Sequence, residues 1–539
     1  MQVSSAPSVE PRRPATAPSL RAFSVSLALI ALLTIAARLV PGPRTIDDAF
    51  ITFRYSRNIV EGHGFVYNPG MRTLGTTTPL FTVLMAGTGW LTGSDNYPWF
   101  ALIASAAADA TSAILLALLV RRLTGHAVPG AILGVLWAVS PASVTFAVGG
   151  METSVAILWM VAAAYAYMVS RTGWMAFFAA LGVLTRVDAL IWVGPLFAHQ
   201  LIMAWRSGAG RGRTWLPWRS WAIFIGTVAP WYLFSAAYFG TLLSRSLSAK
   251  RVAYVVDDLQ ALVRLLQHIA TPFFEQKTLG VPGIAIGIVL YPALAAAGTL
   301  YAVKRQPRLL PFLLYPWLYV AVFSAMNPLI FRWYLTPLLP PYFVAIVLGV
   351  WGVAGAVAEA TRKPRLGLSV TGVLGALFML LSLNAWVLHP DHGRDRPAPA
   401  MAWHKIELNY RRMAETLRRD FGISETTVVA AGDIGAVGYF SRAHILDTVG
   451  LVTPEMTAYY PLDESLLAEG ANYAVPPALI MDHLPDYIVL MESFVRNGLA
   501  RDPAFARLYS QVRFFATDYY GTGMILYQRR GLSKGPCCG

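Results

Sequence analysis

Cysteine is almost absent from this 539-residue chain: the two that occur, Cys537 and Cys538, stand side by side in the terminal GPCCG. Two adjacent thiols at a chain end build neither a disulfide framework nor a zinc site, and the tail is one residue short of a prenylation box. Charge is scarce as well. Asp, Glu, Lys and Arg make up 13% of the residues against 56% hydrophobic ones, more apolar surface than a soluble core can hide. Acids are the scarcer sign, 29 against 43 Lys and Arg, for a formal net charge of +14. Such an excess would suit nucleic acid if it formed a patch. The basic residues instead fall in short stretches between apolar runs, as in the cytoplasmic loops of membrane proteins, which argues against a nucleic-acid partner.

What the chain has in quantity is apolar runs near the length of a bilayer span, which predict a polytopic α-helical membrane protein. Arg12, Arg13 and Arg21 precede the first run, 23–40, which is too long for a signal h-region and lacks a convincing cleavage site. It reads as an uncleaved first span, with residues 1–22 as a cytoplasmic tail. Keeping the basic loops inside then gives about eleven spans between 23 and 388, provided the short Gly- and Thr-rich stretch 78–93 lies in the interface. Segment 174–185 is the weakest of them, short enough to be half of a broken helix. This topology places 41–78, 142–153, 240–280 and 325–333 on the outer face of the cell membrane. A hydrophilic domain, 389–539, lies on the same side, and function is expected there.

The first outer stretch opens with DDAFITFRYSRNIVEGHGFVYNPG. It predicts an amphipathic helix from Asp47 to Glu61, with Phe50, Phe53 and Ile59 or Val60 buried and Arg54, Arg57 and Asn58 wet. Asp47 and Asp48 fall at its N-cap and first turn. Capping and the helix dipole would account for them; so would an acid pair held where a membrane-borne substrate meets water. Glu152, in GGMET, stands at a second outer boundary, where capping is again the competing reading. Arg245, Lys250 and Arg251 lie on the side where positive charge is disfavoured, which suggests an anionic head group, with snorkelling as the rival explanation. Arg332 sits between aromatics at the mouth of a late span, where Trp333 and Tyr334 would anchor the interface and the guanidinium would reach a phosphate.

Together with GTTTPLF, LTRVDAL and the LSAK segment, these motifs in this order resemble the GT-C membrane glycosyltransferases, and within them the branch of actinobacterial terminal arabinofuranosyltransferases. The resemblance spans most of 23–390. It implies a multi-pass enzyme of the bacterial plasma membrane, acting on the extracytoplasmic face. The donor would be a polyprenyl-phosphate sugar of the decaprenyl or undecaprenyl type, with arabinofuranose as the suggested sugar, and the acceptor a cell-envelope glycan, glycolipid or protein. Asp47 occupies the position of the general base, with Asp48 beside it and Glu152 as the second-loop acid. Lys250, Arg251 and Arg332 would bind the leaving phosphate, and His63, Arg54 and Tyr334 the substrate. Asp188 pairs structurally with Arg186. Some relatives use a divalent metal, Mg or Mn, at the acid pair, but nothing in this sequence resembles a closed ligand set. A flippase or transporter for a lipid-linked saccharide and a mannosyl-type transferase to protein are the alternatives; a transporter should carry ionisable groups at mid-bilayer, where Asp109 is the main case.

After the linker HPDHGRDRPAP the composition turns to α/β: a helix at 403–420, strands at 427–431, 444–447 and 487–491, and a terminal pair near 511–529. GDIGAVGYF follows a strand but lacks the full glycine spacing of a dinucleotide loop. An acceptor-binding role and pure scaffolding are both open for this domain, with Asp433 and Asp447 as contacts in the first case.

Overall fold

A computed structural model describes residues 20–208, 216–387 and 396–532. The tail expected over 1–22 as far as residue 19, most of the linker and the Cys537–Cys538 end lie outside the described residues. The membrane part runs α1 Leu20–Leu39, α2 Asp47–Val60, α3 Pro79–Thr92, α4 Tyr97–Thr124, α5 Ala127–Val139, α6 Pro141–Val148, α7 Thr153–Met168, α8 Thr172–Thr185, α9 Leu190–Gly208 and α10 Trp218–Phe239. It continues through α11 Ser246–Ala253, α12 Gln260–Ala270, α13 Gln276–Arg305, α14 Leu310–Met326, α15 Leu339–Ala360 and α16 Leu366–Leu383.

Among the described residues, 8 helices are long and apolar enough to cross a membrane, or up to 9 if α5 and α6, bent by 45° at their break, form one span. Every stretch expected to span is helical. α7 and α8, however, have only 16 and 14 residues, fewer than the roughly 20 that an untilted bilayer span needs. The expected interfacial segment is α3, of 14 residues.

Asp109, the acid expected at mid-bilayer, is fully buried on α4 and pairs with Arg38 of α1 at 3.0 Å. Ser154 of α7 also donates to Asp109 at 3.0 Å, and Arg38 reaches Ser143 at 2.6 Å and the Ala138 carbonyl at the end of α5. One guanidinium thus ties α1 to α4 and satisfies the backbone where α5 breaks into α6. Removing either charge would strand the other in an apolar interior, at a cost of about 3–5 kcal/mol.

Strands β1 Trp386–Val387 and β2 Ala398–Pro399 pair antiparallel and lead from the last span into the C-terminal domain. There follow α17 Lys405–Phe421, β3 Val428–Ala431, α18 Gly435–Ser441, β4 His444–Asp447, β5 Tyr487–Met491, β6 Tyr509–Ala516 and β7 Gly523–Arg529. The sheet order is β4-β3-β5-β7-β6; β3 runs parallel to β4 and β5, and the β6–β7 hairpin joins β5 antiparallel. The expected helix and strands fall within two residues of these bounds. β5, YIVLM, is buried throughout, as the continuous apolar run of a central strand should be.

This domain sits directly on α2, and that overturns part of the amphipathic reading. Phe50 and Phe53 are buried as expected, but so are Arg54, Arg57 and Asn58, while Val60 is exposed. The polar side of the helix is not wet: it is the face on which the domain docks. Arg54 donates to the carbonyls of Tyr67, Gly438 and Ala443 and to the Asn68 amide oxygen, and Arg57 to the carbonyl of Tyr439. A guanidinium has five donors, and the four hydrogen bonds of Arg54 are what make its burial tolerable.

Candidate active site between the juxtamembrane helix and the C-terminal domain

Neither carboxylate of the acid pair caps its own helix: the N-cap of α2 is Ile46, with no side-chain cap bond. Asp47 reaches across to α18, where its Oδ2 accepts from the Gly435 amide at 2.8 Å and its Oδ1 from the Ala436 amide at 2.7 Å. The glycines of GDIGAVGYF explain the closeness. A Cβ on Gly435 would run into the Asp47 carbonyl, and one on Gly438 into the Tyr67 hydroxyl and the Arg54 guanidinium. They are docking glycines, which disposes of the dinucleotide-loop reading.

Asp48, one residue on, turns elsewhere and pairs with Lys250 of α11 at 3.1 Å. The Lys250 ammonium also lies 4.6 Å from the centre of the Phe331 ring. Burial is the largest influence and works against its charge, but Asp48, Tyr334 and Asp433 together outweigh it and the pKa is raised. Asp433, in the turn between β3 and α18, is the third acid, and the Tyr410 hydroxyl of α17 donates to it at 2.7 Å. Glu407, one turn earlier on α17, lies close enough for its charge and that of Asp47 to act on one another.

Acid outnumbers base here, and the proton affinities follow. Burial, and then the charge of Asp433, push Asp47 up to about 8 against the pull of its two amide donors, with Asp48 adding a smaller push. Burial takes Glu407 up to about 8 and Asp433 up to about 6. Carboxyl groups poised near neutrality, in a cluster open enough for Asp48 and Lys250 to keep some solvent contact, are what proton transfer at a membrane face requires.

The remaining expected residues divide. Glu152 does not join the acid pair: its carboxylate takes Arg186 at 2.7 Å, and Arg186 takes Asp188 at 2.8 Å on its other side, a closed triad. The expected Arg186–Asp188 pair is present. Tyr334 lies between the two groups, under the Arg186 guanidinium at 5.4 Å and near enough to Lys250 and Asp48 for their charges to act on it. Arg332 donates to the Met401 carbonyl at 2.9 Å and stacks 5.2 Å over the Trp403 ring, so it bridges to the C-terminal domain beside the site. Arg54 is spent on its own loop, at Tyr67 and Asn68, and on docking, at Gly438 and Ala443. Arg251 is exposed, and His63, also exposed, lies 4.0 Å from Glu61. Asp447 is buried in a tight turn, accepting from the Val449 and Val452 amides. Sequence reasoning passed over Glu407 and Tyr410 and gave Asp433 only a minor part. The GD that ends a strand was the one available signal, and it was set aside with the glycine motif.

Each Asp47 oxygen accepts one backbone amide, and Oδ2 of Asp48 is held by the Lys250 ammonium. Among the described residues no group of three or more His, Cys, Asp or Glu is arranged to hold a metal ion.

The fold has solved counterparts. The chain superposes on ArnT from Cupriavidus metallidurans in the apo state with a TM-score of 0.54 at 12% identity, covering 95% of this chain and 98% of that one. It superposes on the oligosaccharyltransferase AglB from Archaeoglobus fulgidus, solved with an inhibitory peptide and a dolichol-phosphate, with a TM-score of 0.52 at 12% identity, covering 93% and 74%. Both are GT-C glycosyltransferases, and the chain has the GT-C fold. In sequence, 227 residues are 26% identical to the terminal β-(1→2)-arabinofuranosyltransferase of Mycobacterium tuberculosis, a match covering 38% of this chain and 35% of that protein. Residues 400–531 match a domain family described as a domain of unknown function, DUF8728.

Proposed function

We propose that this chain is an integral-membrane glycosyltransferase that moves a sugar from a polyprenyl-phosphate donor to a cell-envelope acceptor on the extracytoplasmic face. The observation that carries the reading is the acid cluster itself: Asp47, Asp48 and Asp433 within reach of one another's charge, with the half-buried Lys250 bound to Asp48, at the end of a GT-C membrane bundle and beneath a docked α/β domain.

In this reading Asp47 accepts the proton of the acceptor hydroxyl as the new bond to the anomeric carbon forms. Its oxygens are fixed by two amides, and a pKa near 8 matches a base working close to neutral pH. Lys250 takes up the charge that develops on the leaving phosphate, which it can do by exchanging Asp48 for the phosphate oxygens. Asp48 holds that ammonium in place between turnovers. Arg332 stands farther along the same face as a second cation, and Tyr334 carries the aromatic floor between Lys250 and Arg186. Glu152 is a positioning residue, since Arg186 already takes its charge. Arabinofuranose is the sugar favoured by the partial match to an arabinofuranosyltransferase. The multi-pass topology of about eleven spans, with the C-terminal domain outside, belongs to the same reading.

The transporter alternative shares the many spans and the cations, and Asp109, the main ionisable group away from the membrane boundaries, is paired with Arg38. Purified full-length protein in lipid nanodiscs, given radiolabelled arabinofuranosyl- and mannosyl-polyprenyl-phosphate donors and an envelope acceptor pool, should transfer label from one donor. Folded protein that transfers neither sugar but moves labelled lipid between leaflets of vesicles would overturn the enzyme reading.

A further inference from the structure

Where the C-terminal domain docks, tyrosine hydroxyls are met. Tyr55 and Tyr67 donate to the carbonyls of Thr73 and Ile434 at 2.6 Å, Tyr439 to that of Asp95 at 2.7 Å, and Tyr410 to Asp433. Beside the acid cluster three are left unspent: among the described residues, the hydroxyls of Tyr254, Tyr334 and Tyr520 have no hydrogen-bond partner. Water can meet one such group. Three that share a wall mark a surface kept for something else.

The wall is continuous. Phe331 lies 5.9 Å from both Tyr334 and Tyr254, Tyr254 packs on Tyr473 at 5.7 Å, Tyr473 on Phe494 at 5.1 Å, and Phe494 reaches Tyr520 at 6.4 Å. This arc follows the acids: Tyr334 is near enough to Lys250 and Asp48 for their charges to act on it, Tyr254 to Asp48 and Asp433, and Tyr520 to Asp433 and Glu407. Tyr520 is held at φ 48° in the turn joining β6 to β7, a left-handed backbone that a bulky side chain adopts only at a cost, with 54% of it exposed. Tyr254, Phe331 and Tyr334 come from the membrane part and Tyr473, Phe494 and Tyr520 from the C-terminal domain, so the arc is complete only in the docked protein. Aromatic faces with free phenols beside carboxyl groups match a sugar ring, which has apolar C–H faces and a rim of hydroxyls that both donate and accept. An apolar chain would leave those groups unmet.

We propose that this arc is the subsite for the sugar being transferred, with Tyr254, Tyr334 and Tyr520 hydrogen-bonding its hydroxyls while Lys250 holds the donor phosphate at one end. Donor recognition is then shared between the membrane part and the C-terminal domain. The identity of the bound group as the donor's sugar rests on the proposed function. The test is binding, with no acceptor present, of arabinofuranosyl- and mannosyl-phosphoryl polyprenols and of the bare polyprenyl phosphate to the full-length protein in nanodiscs. Wild type should bind one sugar-bearing lipid at least tenfold more tightly than the bare phosphate. Tyr254→Phe and Tyr520→Phe, each deleting a single oxygen, should each lower that preference by about three- to tenfold and leave affinity for the bare phosphate unchanged. Should Tyr254→Phe fail to fold, Tyr520→Phe on the exposed turn decides alone. A smaller preference in wild type, an undiminished one in a folded variant, or an equal loss of bare-phosphate affinity would each overturn the proposal. A preference that depends on these hydroxyls, in a protein that transfers no sugar, would leave the arc standing and sink the enzyme reading instead.

Discussion

Two groups of acids lie within one tyrosine of each other in this protein and behave in opposite ways. Around Arg186, two carboxylates share one guanidinium at 2.7 and 2.8 Å, with all three side chains largely buried: a compact group in which charge is met by charge. Around Asp47, three aspartates and Glu407 lie close together while only Asp48 is bound by a lysine, and burial raises Asp47, Asp433 and Glu407 into the range of 6 to 8. Both contain acids from the ends of membrane-part helices, and both lie by Tyr334. The first is a brace. The second gathers carboxyl groups that keep their protons up to near-neutral pH beneath a docked domain, an expensive arrangement that folding alone has no reason to keep.

Breaking the brace should have the largest effect on stability. Arg186→Met leaves Glu152 and Asp188 buried without their cation and should cost about 3–5 kcal/mol, read as a fall in the unfolding midpoint in detergent. Breaking the cluster at its cation should act on rate instead. Lys250→Met should retain the fold yet lower transfer about 10²–10³-fold, the usual cost of deleting one charge-stabilising group at a reacting oxyanion. Gly435→Ala puts a methyl group into the Asp47 carbonyl and should loosen domain docking by about 1–3 kcal/mol, seen as faster proteolysis within 396–532. The smallest change is the sharpest. The kcat/KM of wild type should rise with pH through about 8 as Asp47 loses its proton, and Asp433→Asn, by removing the neighbouring charge, should move that midpoint down by roughly one unit.

The same groups set an opposite trend for stability. Asp47 and Glu407 have folded pKa values raised to about 8 from ordinary carboxyl values of 3.8 and 4.5, so the folded state holds protons that the unfolded chain has released. Their contribution is full below about pH 4 and is lost as pH rises through 8. Activity and domain docking should therefore diverge with pH across this window.

The membrane helices were legible in the sequence because apolar length and basic loops are local signals, and so were the strands of the C-terminal domain. The acid pair and Lys250 stood out in the sequence as charges at the ends of apolar runs, and the structure brings Asp48 and Lys250 to 3.1 Å. The partners of Asp47 were not, since Gly435 and Ala436 stand 388 and 389 residues away and act through backbone amides, which no side-chain pattern announces. The same distance misled the reading of α2. Arg54 and Arg57 look like a solvated face until the domain that covers them, also nearly 400 residues on, is in place, and Asn58 until the chain turns back at Val66 and Tyr67. Glu152 was placed with the aspartates because both stand at outer span boundaries; the sequence holds Arg186 34 residues further along, but not the packing that brings it to 2.7 Å.

The contrast between brace and cluster is tested most directly by one paired assay: sugar transfer from the polyprenyl-phosphate donor by Asp47→Asn and Glu152→Gln, each checked for folding by its elution profile and unfolding midpoint. Transfer should fall about 10²–10⁴-fold in folded Asp47→Asn, the usual worth of a general base, and stay within tenfold of wild type in folded Glu152→Gln. Retained transfer in Asp47→Asn, or its abolition in Glu152→Gln alone, would contradict the account by placing the chemistry at the group described here as structural.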